Sequence, residues 1–147
     1  MKIETILKNI LKESDYKGSH KAPSNIDVPL YDLEEYFPNI YSSKGLMLYG
    51  DRSGEWGNSS QETYRIILAT KGKPNKLVKV YRAIPKDLPI EQQTINYGDW
   101  VALSKTYSTI HGKQWLKGDY KIITKNVPAK DLFNDGNSMV EFGYNPS

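Results

Sequence analysis

The most regular hydrophobic pattern in the chain runs over residues 76–85, where apolar and polar positions alternate. Alternation with a period of two, rich in β-branched residues and bounded by lysine and proline, predicts a β-strand. Successive side chains of a strand point to opposite faces, so the residues of one parity share a surface. The more apolar face of this predicted strand carries Val78, Val80, Arg82 and Ile84.

Arg82 interrupts that apolar face, and a buried guanidinium is costly unless an acceptor meets it. One interpretation places Arg82 at an edge of the sheet or in an internal salt bridge. The other has the strand present Arg82 to a phosphate or carboxylate of a ligand, for which the planar guanidinium is well suited. The strand alone leaves both interpretations open.

Helical spacing of apolar residues predicts several helices. Residues 2–14 form an amphipathic pattern, which indicates a helix that packs on the sheet or binds a partner. Polar residues 58–60 offer an N-cap for a helix that ends near Gly72. Residues 30–36 predict a short helix, and residues 105–116 a helical turn or short helix.

The remaining patterns predict further strands and turns. Residues 128–133 indicate a helical turn or loop, and residues 134–137 a tight turn. Glu141 falls on the less apolar face of the last strand, together with Met139 and Gly143. A helix- and loop-rich first half followed by strands indicates an α+β fold. The further predicted strands cover residues 46–49, 100–104, 120–127 and 138–144.

Length and composition narrow the classes of function. A chain of 147 residues predicts a single domain, with a helical and loop-rich part over residues 1–75 and a strand-rich core over residues 76–147. The absence of cysteine excludes disulfides, thiol nucleophiles and cysteine-based zinc sites, and two histidines are too few for a histidine-rich metal site. We therefore expect no metal site.

The charge and hydropathy patterns bear on partners. The 20 basic and 17 acidic residues are interspersed, which gives little electrostatic attraction for nucleic acid. No apolar run approaches the roughly 18 residues of a membrane span, and the beginning of the sequence lacks a secretory hydrophobic segment. We expect a cytoplasmic protein that binds neither nucleic acid nor a membrane.

Three candidate functional residues follow one another on successive predicted strands: Arg82 within one strand, Ser104 at the end of a second strand, and Glu141 within the final strand. This order resembles the Arg–Ser–Glu class of ADP-ribosyltransferases, and the similarity is closest to small modules of phages and other mobile elements. The resemblance covers residues 77–147. It rests on Val80-Tyr81-Arg82-Ala83-Ile84-Pro85, Gly98-Asp99-Trp100-Val101 through Ser104, His111-Gly112, Val127-Pro128-Ala129-Lys130-Asp131-Leu132 and Glu141-Phe142-Gly143-Tyr144.

The resemblance implies an ADP-ribosyltransferase-like split β-sheet core with N-terminal helices, and NAD as the substrate. It implies catalytic roles for Glu141, Arg82 and Ser104. It also implies that NAD contacts Arg82, Ala83, Ser104, Thr106 and Tyr107. In such a site the glutamate would stabilise the positive charge that builds on the ribose as nicotinamide leaves, and the arginine would hold the pyrophosphate or the adenosine-side ribose.

One departure from the family pattern leaves the role of Ser108 open, and a second implies that the acceptor is not arginine or is chosen by other contacts. The serine motif is Ser104-Lys105-Thr106 instead of Ser-Thr-Ser, and Met139 stands where arginine-modifying relatives carry Glu or Gln.

The leading hypothesis is a mono-ADP-ribosyltransferase that acts as a phage or mobile-element effector on a host protein. An NAD glycohydrolase and a non-catalytic binding or inhibitor module, such as an anti-defence protein, are the alternatives.

Each candidate residue also has a structural interpretation. Ser104 could serve as the N-cap of the helix that follows it, and Glu141 could be a solvated carboxylate on a strand. His111 could pack as a structural histidine, and Tyr107 and Trp100 could be core aromatics. Convergence of Arg82, Ser104 and Glu141 at one pocket would favour the chemical interpretation.

Overall fold

A computed structural model describes residues 21–147, and the helix predicted over residues 2–14 lies outside them. The described residues form a mixed α+β fold with three α-helices and two antiparallel sheets, which confirms the α+β part of the predicted fold. None of these helices has the length and apolar composition needed to cross a membrane. The helices are α1 Gly45–Tyr49, α2 Gly54–Thr70 and α3 Lys105–Trp115; the strands are β1 Val28–Pro29, β2 Leu77–Pro85, β3 Trp100–Val101, β4 Tyr120–Pro128, β5 Leu132–Asn134 and β6 Phe142–Tyr144.

The predicted central strand is β2, which pairs with β4 along its whole length as a two-stranded antiparallel sheet. Val78, Val80 and Ile84 are buried, whereas Leu77 and Lys79 are exposed, so the period-two alternation identified the correct inner face. Arg82 is on this inner face, opposite Ile123 of β4. The strand therefore presents Arg82 from a rigid, fully paired backbone.

The second sheet has four short strands in the order β1-β5-β6-β3. Its two outer strands come from distant parts of the sequence, and β6 pairs with both β3 and β5. Phe142 of β6 is fully buried, and Glu141 lies immediately before this strand. The position of Glu141 is therefore set by the second sheet, while that of Arg82 is set by the first.

A pair of backbone hydrogen bonds joins the two sheets. Tyr81 of β2 and Ala102, just after β3, exchange both of their backbone hydrogen bonds, each 2.9 Å long. A doubly bonded pair of this kind holds two backbones at the spacing of neighbouring strands. This joint brings Arg82, the next residue in β2, beside β3.

Helices α2 and α3 form where the sequence supplies end signals. Ser53 precedes α2 in an extended conformation, and the helix begins earlier than predicted, at Gly54. At its other end, Gly72 has a φ of +68°, a conformation that glycine adopts readily. Ser104 is the N-cap of α3, where its side chain accepts a hydrogen bond from the backbone N–H of Tyr107.

Two predicted elements of the loop-rich part are wrong. Residues 46–49 belong to helix α1 and not to a strand, because a four-residue apolar run does not distinguish the two structures. Residues 30–36 form turns instead of a helix. Leu30 donates its backbone N–H to the carbonyl of Leu132 in β5. The first residue of the predicted helix is therefore hydrogen-bonded to a strand.

The final part of the chain also differs from the predicted pattern. The last strand covers Phe142–Tyr144 only, so Glu141 precedes the strand instead of lying within it. The segment predicted as a helical turn or loop contains a 3-10 turn, Ala129–Asp131, followed by strand β5. The second predicted strand is likewise shorter and ends at Val101. Short strands that depend on non-local pairing carry little periodicity of their own.

Candidate functional site

A pocket of about 80 Å³ lies where the two sheets meet, between β2, β3, helix α3 and the residue before β6. Four of the six predicted site residues line it: Arg82, Ala83, Tyr107 and Glu141. Its other lining residues are Tyr81, Trp100, Val101, Ala102, Ser108 and His111.

Arg82 is partly buried in the pocket wall, and a backbone group orients it. Its Nη1 donates a hydrogen bond of 2.8 Å to the carbonyl oxygen of Trp100 in β3. This contact lies beside the paired hydrogen bonds of Tyr81 and Ala102. Strand β2, which carries Arg82, is therefore held to the segment that contains its acceptor Trp100. An arginine carries five N–H donors, of which the Trp100 carbonyl accepts one.

Glu141 lines the same pocket and is held by an aromatic hydroxyl. Tyr107 of α3 donates its hydroxyl to Oε1 of Glu141, in a hydrogen bond to a charged acceptor. The ring of Tyr107 also contacts Trp56 at the start of α2, with 5.9 Å between ring centroids. Glu141 is therefore held in a defined position at the pocket wall.

An aromatic row extends from Tyr107 along helix α3. Tyr107, His111 and Trp115 recur every four residues and so lie on one face of the helix. The ring centroids of Tyr107 and His111 are 6.4 Å apart, and those of His111 and Trp115 are 6.2 Å apart. Two members, Tyr107 and His111, line the pocket and give it a wall that suits a planar ring.

Ser104 and Thr106 do not lie among the residues that line the pocket. Ser104 is 1% exposed, and its hydroxyl donates to Oε2 of Glu62 at 2.6 Å while it caps helix α3. Thr106 donates to the other carboxylate oxygen of Glu62 at 2.7 Å. The contacts of Ser104 therefore agree with its interpretation as an N-cap. Of the three predicted catalytic residues, Arg82 and Glu141 line the pocket and Ser104 does not.

Sequence reasoning missed two residues that support this arrangement. Glu62 pairs with hydroxyls more than 40 residues away, and no local pattern indicates such a contact. Asn134 is fully buried and donates its Nδ2 to the backbone carbonyls of Ser138 and Glu141, at 2.8 and 3.1 Å. The turn signal at residues 134–137 marked its position but not its partners.

A second hollow, remote in sequence from the first, lies in the loop-rich part. Tyr41 lies in the wall of this hollow, and burial raises the pKa of its hydroxyl. The backbone N–H of Leu33 donates to that hydroxyl and lowers the pKa in part, whereas the nearby carboxylates of Asp32 and Glu34 raise it further. The ammonium of Lys71 lies 4.6 Å from the centre of the Tyr41 ring. This hollow contains no predicted site residue.

Between residues 21 and 147, no cluster of histidine and acidic side chains is arranged to hold a metal ion. Comparisons of the whole chain with protein-family models, with curated proteins and with solved structures found no significant match. The geometry of the pocket and the residues that line it are therefore the features that indicate a function.

Proposed function

We propose that the chain is an NAD-dependent mono-ADP-ribosyltransferase of the Arg–Ser–Glu class, with that class's split-sheet fold and a host protein as acceptor. The observation that carries the proposal is that Arg82 and Glu141 line one pocket although different sheets position them. Two antiparallel sheets that meet through the paired backbones of Tyr81 and Ala102 support the split-sheet part of the proposal.

Glu141 is the proposed catalytic carboxylate. Breaking the bond between nicotinamide and ribose builds positive charge on the sugar, as in glycoside hydrolysis. A fixed carboxylate beneath the sugar stabilises that charge more in the transition state than in the ground state. Oε1 of Glu141 accepts from Tyr107, which leaves Oε2 to accept a hydrogen bond from a ribose hydroxyl.

Arg82 is the proposed contact for the pyrophosphate. One nitrogen of its guanidinium donates to the carbonyl of Trp100, which fixes the plane of the group. The other N–H donors then point in defined directions and suit phosphate oxygens. Ala83, the next residue in β2, lies in the wall and would contact the substrate beside Arg82.

The aromatic wall is the proposed site for nicotinamide. Tyr107 and His111 line the pocket, and their rings offer a planar surface for the leaving group. Ser104 and Thr106 contact Glu62 and take no direct part in this proposal. Their contribution is to hold the first turn of α3, from which Tyr107 extends.

A non-catalytic binding module is the second candidate, and the size of the pocket favours it. About 80 Å³ is small beside the roughly 300–1,000 Å³ of typical ligand pockets, so a dinucleotide enters only if the walls move apart. In this candidate the pocket grips a nucleotide-like group or a segment of a host protein. No bond is broken there.

Calorimetry with NAD, followed by chromatography of released nicotinamide, tests the proposal on the full chain. Glu141→Gln keeps the shape of the side chain and should bind NAD within a few-fold of the native chain. Its nicotinamide release should fall by about 10²–10³-fold, as expected when a preorganised electrostatic partner is lost. Arg82→Ala should mainly weaken NAD binding.

Exposed residues outside the pocket provide matched controls. Lys79→Ala removes a cation from the same strand as Arg82, and Glu91→Gln repeats the carboxylate change away from the pocket. Both should leave binding and release unchanged. Heat of binding without nicotinamide release would support the binding module. The absence of both heat and release would overturn the proposed transferase.

The fate of the ADP-ribose separates a transferase from a glycohydrolase. With NAD labelled on the adenine, a transferase leaves the label on a macromolecule of a host-cell extract. A glycohydrolase, whose acceptor is water, leaves it on free ADP-ribose. Label recovered only as free ADP-ribose, in the presence of extract, would contradict the proposed transfer.

A further inference from the structure

The carboxylate of Glu62 connects helix α2 with the first turn of helix α3. Each of its oxygens accepts one hydroxyl: Oε2 from Ser104 at 2.6 Å and Oε1 from Thr106 at 2.7 Å. Both distances are typical of a hydroxyl bound to a charged acceptor, the stronger class of hydrogen bond. This junction is partly shielded from water, since Glu62 is half-buried and Ser104 is buried.

The same junction reaches the backbone of Tyr107. The Ser104 hydroxyl donates to Glu62 while it accepts from the N–H of Tyr107 at 3.1 Å. A hydroxyl that donates to a carboxylate becomes a better acceptor, so the two hydrogen bonds strengthen each other. Negative charge at the first turn of a helix is also favourable because the unpaired N–H groups there carry partial positive charge.

Tyr107 is thereby held by helix α2 at two points. Glu62 fixes its backbone through Ser104, and Trp56 packs edge-on against its ring at 5.9 Å between centroids. The hydroxyl at the far end of that ring donates to Glu141. A displacement of the α3 N-terminus would therefore move the group that holds the Glu141 carboxylate.

We propose that Glu62 is a positioning residue for the pocket: through Ser104 it fixes Tyr107, and through Tyr107 it fixes the carboxylate of Glu141. In the proposed transferase, on which the kinetic part of this inference rests, Glu62 never touches NAD. It determines how well Glu141 is placed beneath the ribose. A shift of about 1 Å in a reacting group can cost up to about 10²-fold in rate.

The first test uses no activity. The ¹³C resonance of the Glu141 side-chain carboxyl, assigned by its loss in Glu141→Gln, reports the hydrogen bond from Tyr107. Tyr107→Phe removes that hydrogen bond and defines the direction of the shift. Glu62→Gln should shift the resonance in the same direction, because the amide cannot accept both hydroxyls as the carboxylate does.

Glu55→Gln is the matched control, since Glu55 is an exposed acid in the first turn of the same helix. It should leave the Glu141 resonance unchanged. If Glu62→Gln does not fold, Ser104→Ala removes the same connection without a change of charge and should give the same shift. A Glu141 resonance that stays in place in a folded Glu62→Gln or Ser104→Ala variant overturns the proposal.

A double-mutant cycle on nicotinamide release gives the second test. Glu62→Gln should lower kcat by about 10-fold to 10²-fold with little change in KM for NAD. In the Tyr107→Phe background it should have no further effect, because the path to Glu141 is already broken. Equal losses in both backgrounds would mean that Glu62 acts on stability alone. Absence of release from the native chain would contradict the proposed function, and the resonance test would still decide the role of Glu62.

Discussion

Asn134 shows how a single buried amide can organise the backbone next to the Glu141 side chain. Its Nδ2 donates to the carbonyls of Ser138 and Glu141, and its Oδ1 accepts from the N–H of Gly136 at 2.7 Å. Three backbone groups of the final turn therefore depend on one side chain that is inaccessible to water. Such a fully satisfied network favours one conformation of the segment that carries Glu141.

Asn134→Ala should lower the free energy of unfolding by about 1–3 kcal/mol, the cost of leaving buried polar groups without partners. Urea unfolding followed by circular dichroism measures the change. Asn137→Ala, an exposed position in the same turn, is the control and should have little effect. Equal stability of the two variants would show that the Asn134 hydrogen bonds contribute nothing net.

Ser104 illustrates why residue type alone does not establish a role. A serine just before a helix is consistent with both a cap and a catalytic hydroxyl. Its burial and its contact with Glu62 distinguish the two, and both depend on the packing of α2 against α3. The predicted roles of Arg82 and Glu141 stay predictions, with the pocket as their support.

At the scale of elements, a glycine in helix α3 allows a close contact with strand β4. A Cβ on Gly112 would lie only 2.5 Å from the ring of Tyr120, at the start of β4. Glycine in the middle of a helix costs about 0.5–1 kcal/mol relative to alanine, so its presence needs a tertiary reason. That reason is the close approach of the Tyr120 ring to the helix backbone.

Gly112→Ala should therefore destabilise the protein by about 1–3 kcal/mol, although alanine favours an isolated helix. Thermal and urea unfolding measure the change, with Lys113→Ala on the exposed side of α3 as the control. In a Tyr120→Ala background the added methyl group has room, and the loss should shrink. Stabilisation by Gly112→Ala in the native background would contradict this account.

The reliability of the predicted elements follows their length. Strands β2 and β4 and helix α2 are long enough to show a period, and the sequence located all three. Strands β1 and β5 are two and three residues long and show none. Their conformation follows from pairing with each other, through Val28 opposite Asn134 and Pro29 opposite Phe133.

At the scale of the whole molecule, the joint between the sheets determines whether Arg82 and Glu141 share a pocket. The two sheets are connected by the paired hydrogen bonds of Tyr81 and Ala102 and by the side chain of Arg82. Helix α3 covers this region from one side, because Tyr107 and His111 lie in the pocket wall. Loss of the joint would move one sheet relative to the other.

Ala102→Pro removes the N–H that donates to Tyr81 and should lower the free energy of unfolding by about 1–3 kcal/mol. Ala102→Gly keeps that N–H and should cost only about 0.5–1 kcal/mol. Denaturation followed by tryptophan fluorescence and by circular dichroism compares the two. Equal losses in both variants would show that the hydrogen bonds of the joint do not stabilise the molecule.

The sequence by itself determined the α+β class, the buried face of β2 and the end of helix α2 near Gly72. These features depend on neighbours within a few residues, so periodicity and end signals reveal them. Only the tertiary structure decided that Arg82 and Glu141 line one pocket, whereas the hydroxyl of Ser104 donates to Glu62. Such contacts join residues more than 40 positions apart, and their geometry depends on how whole sheets and helices pack.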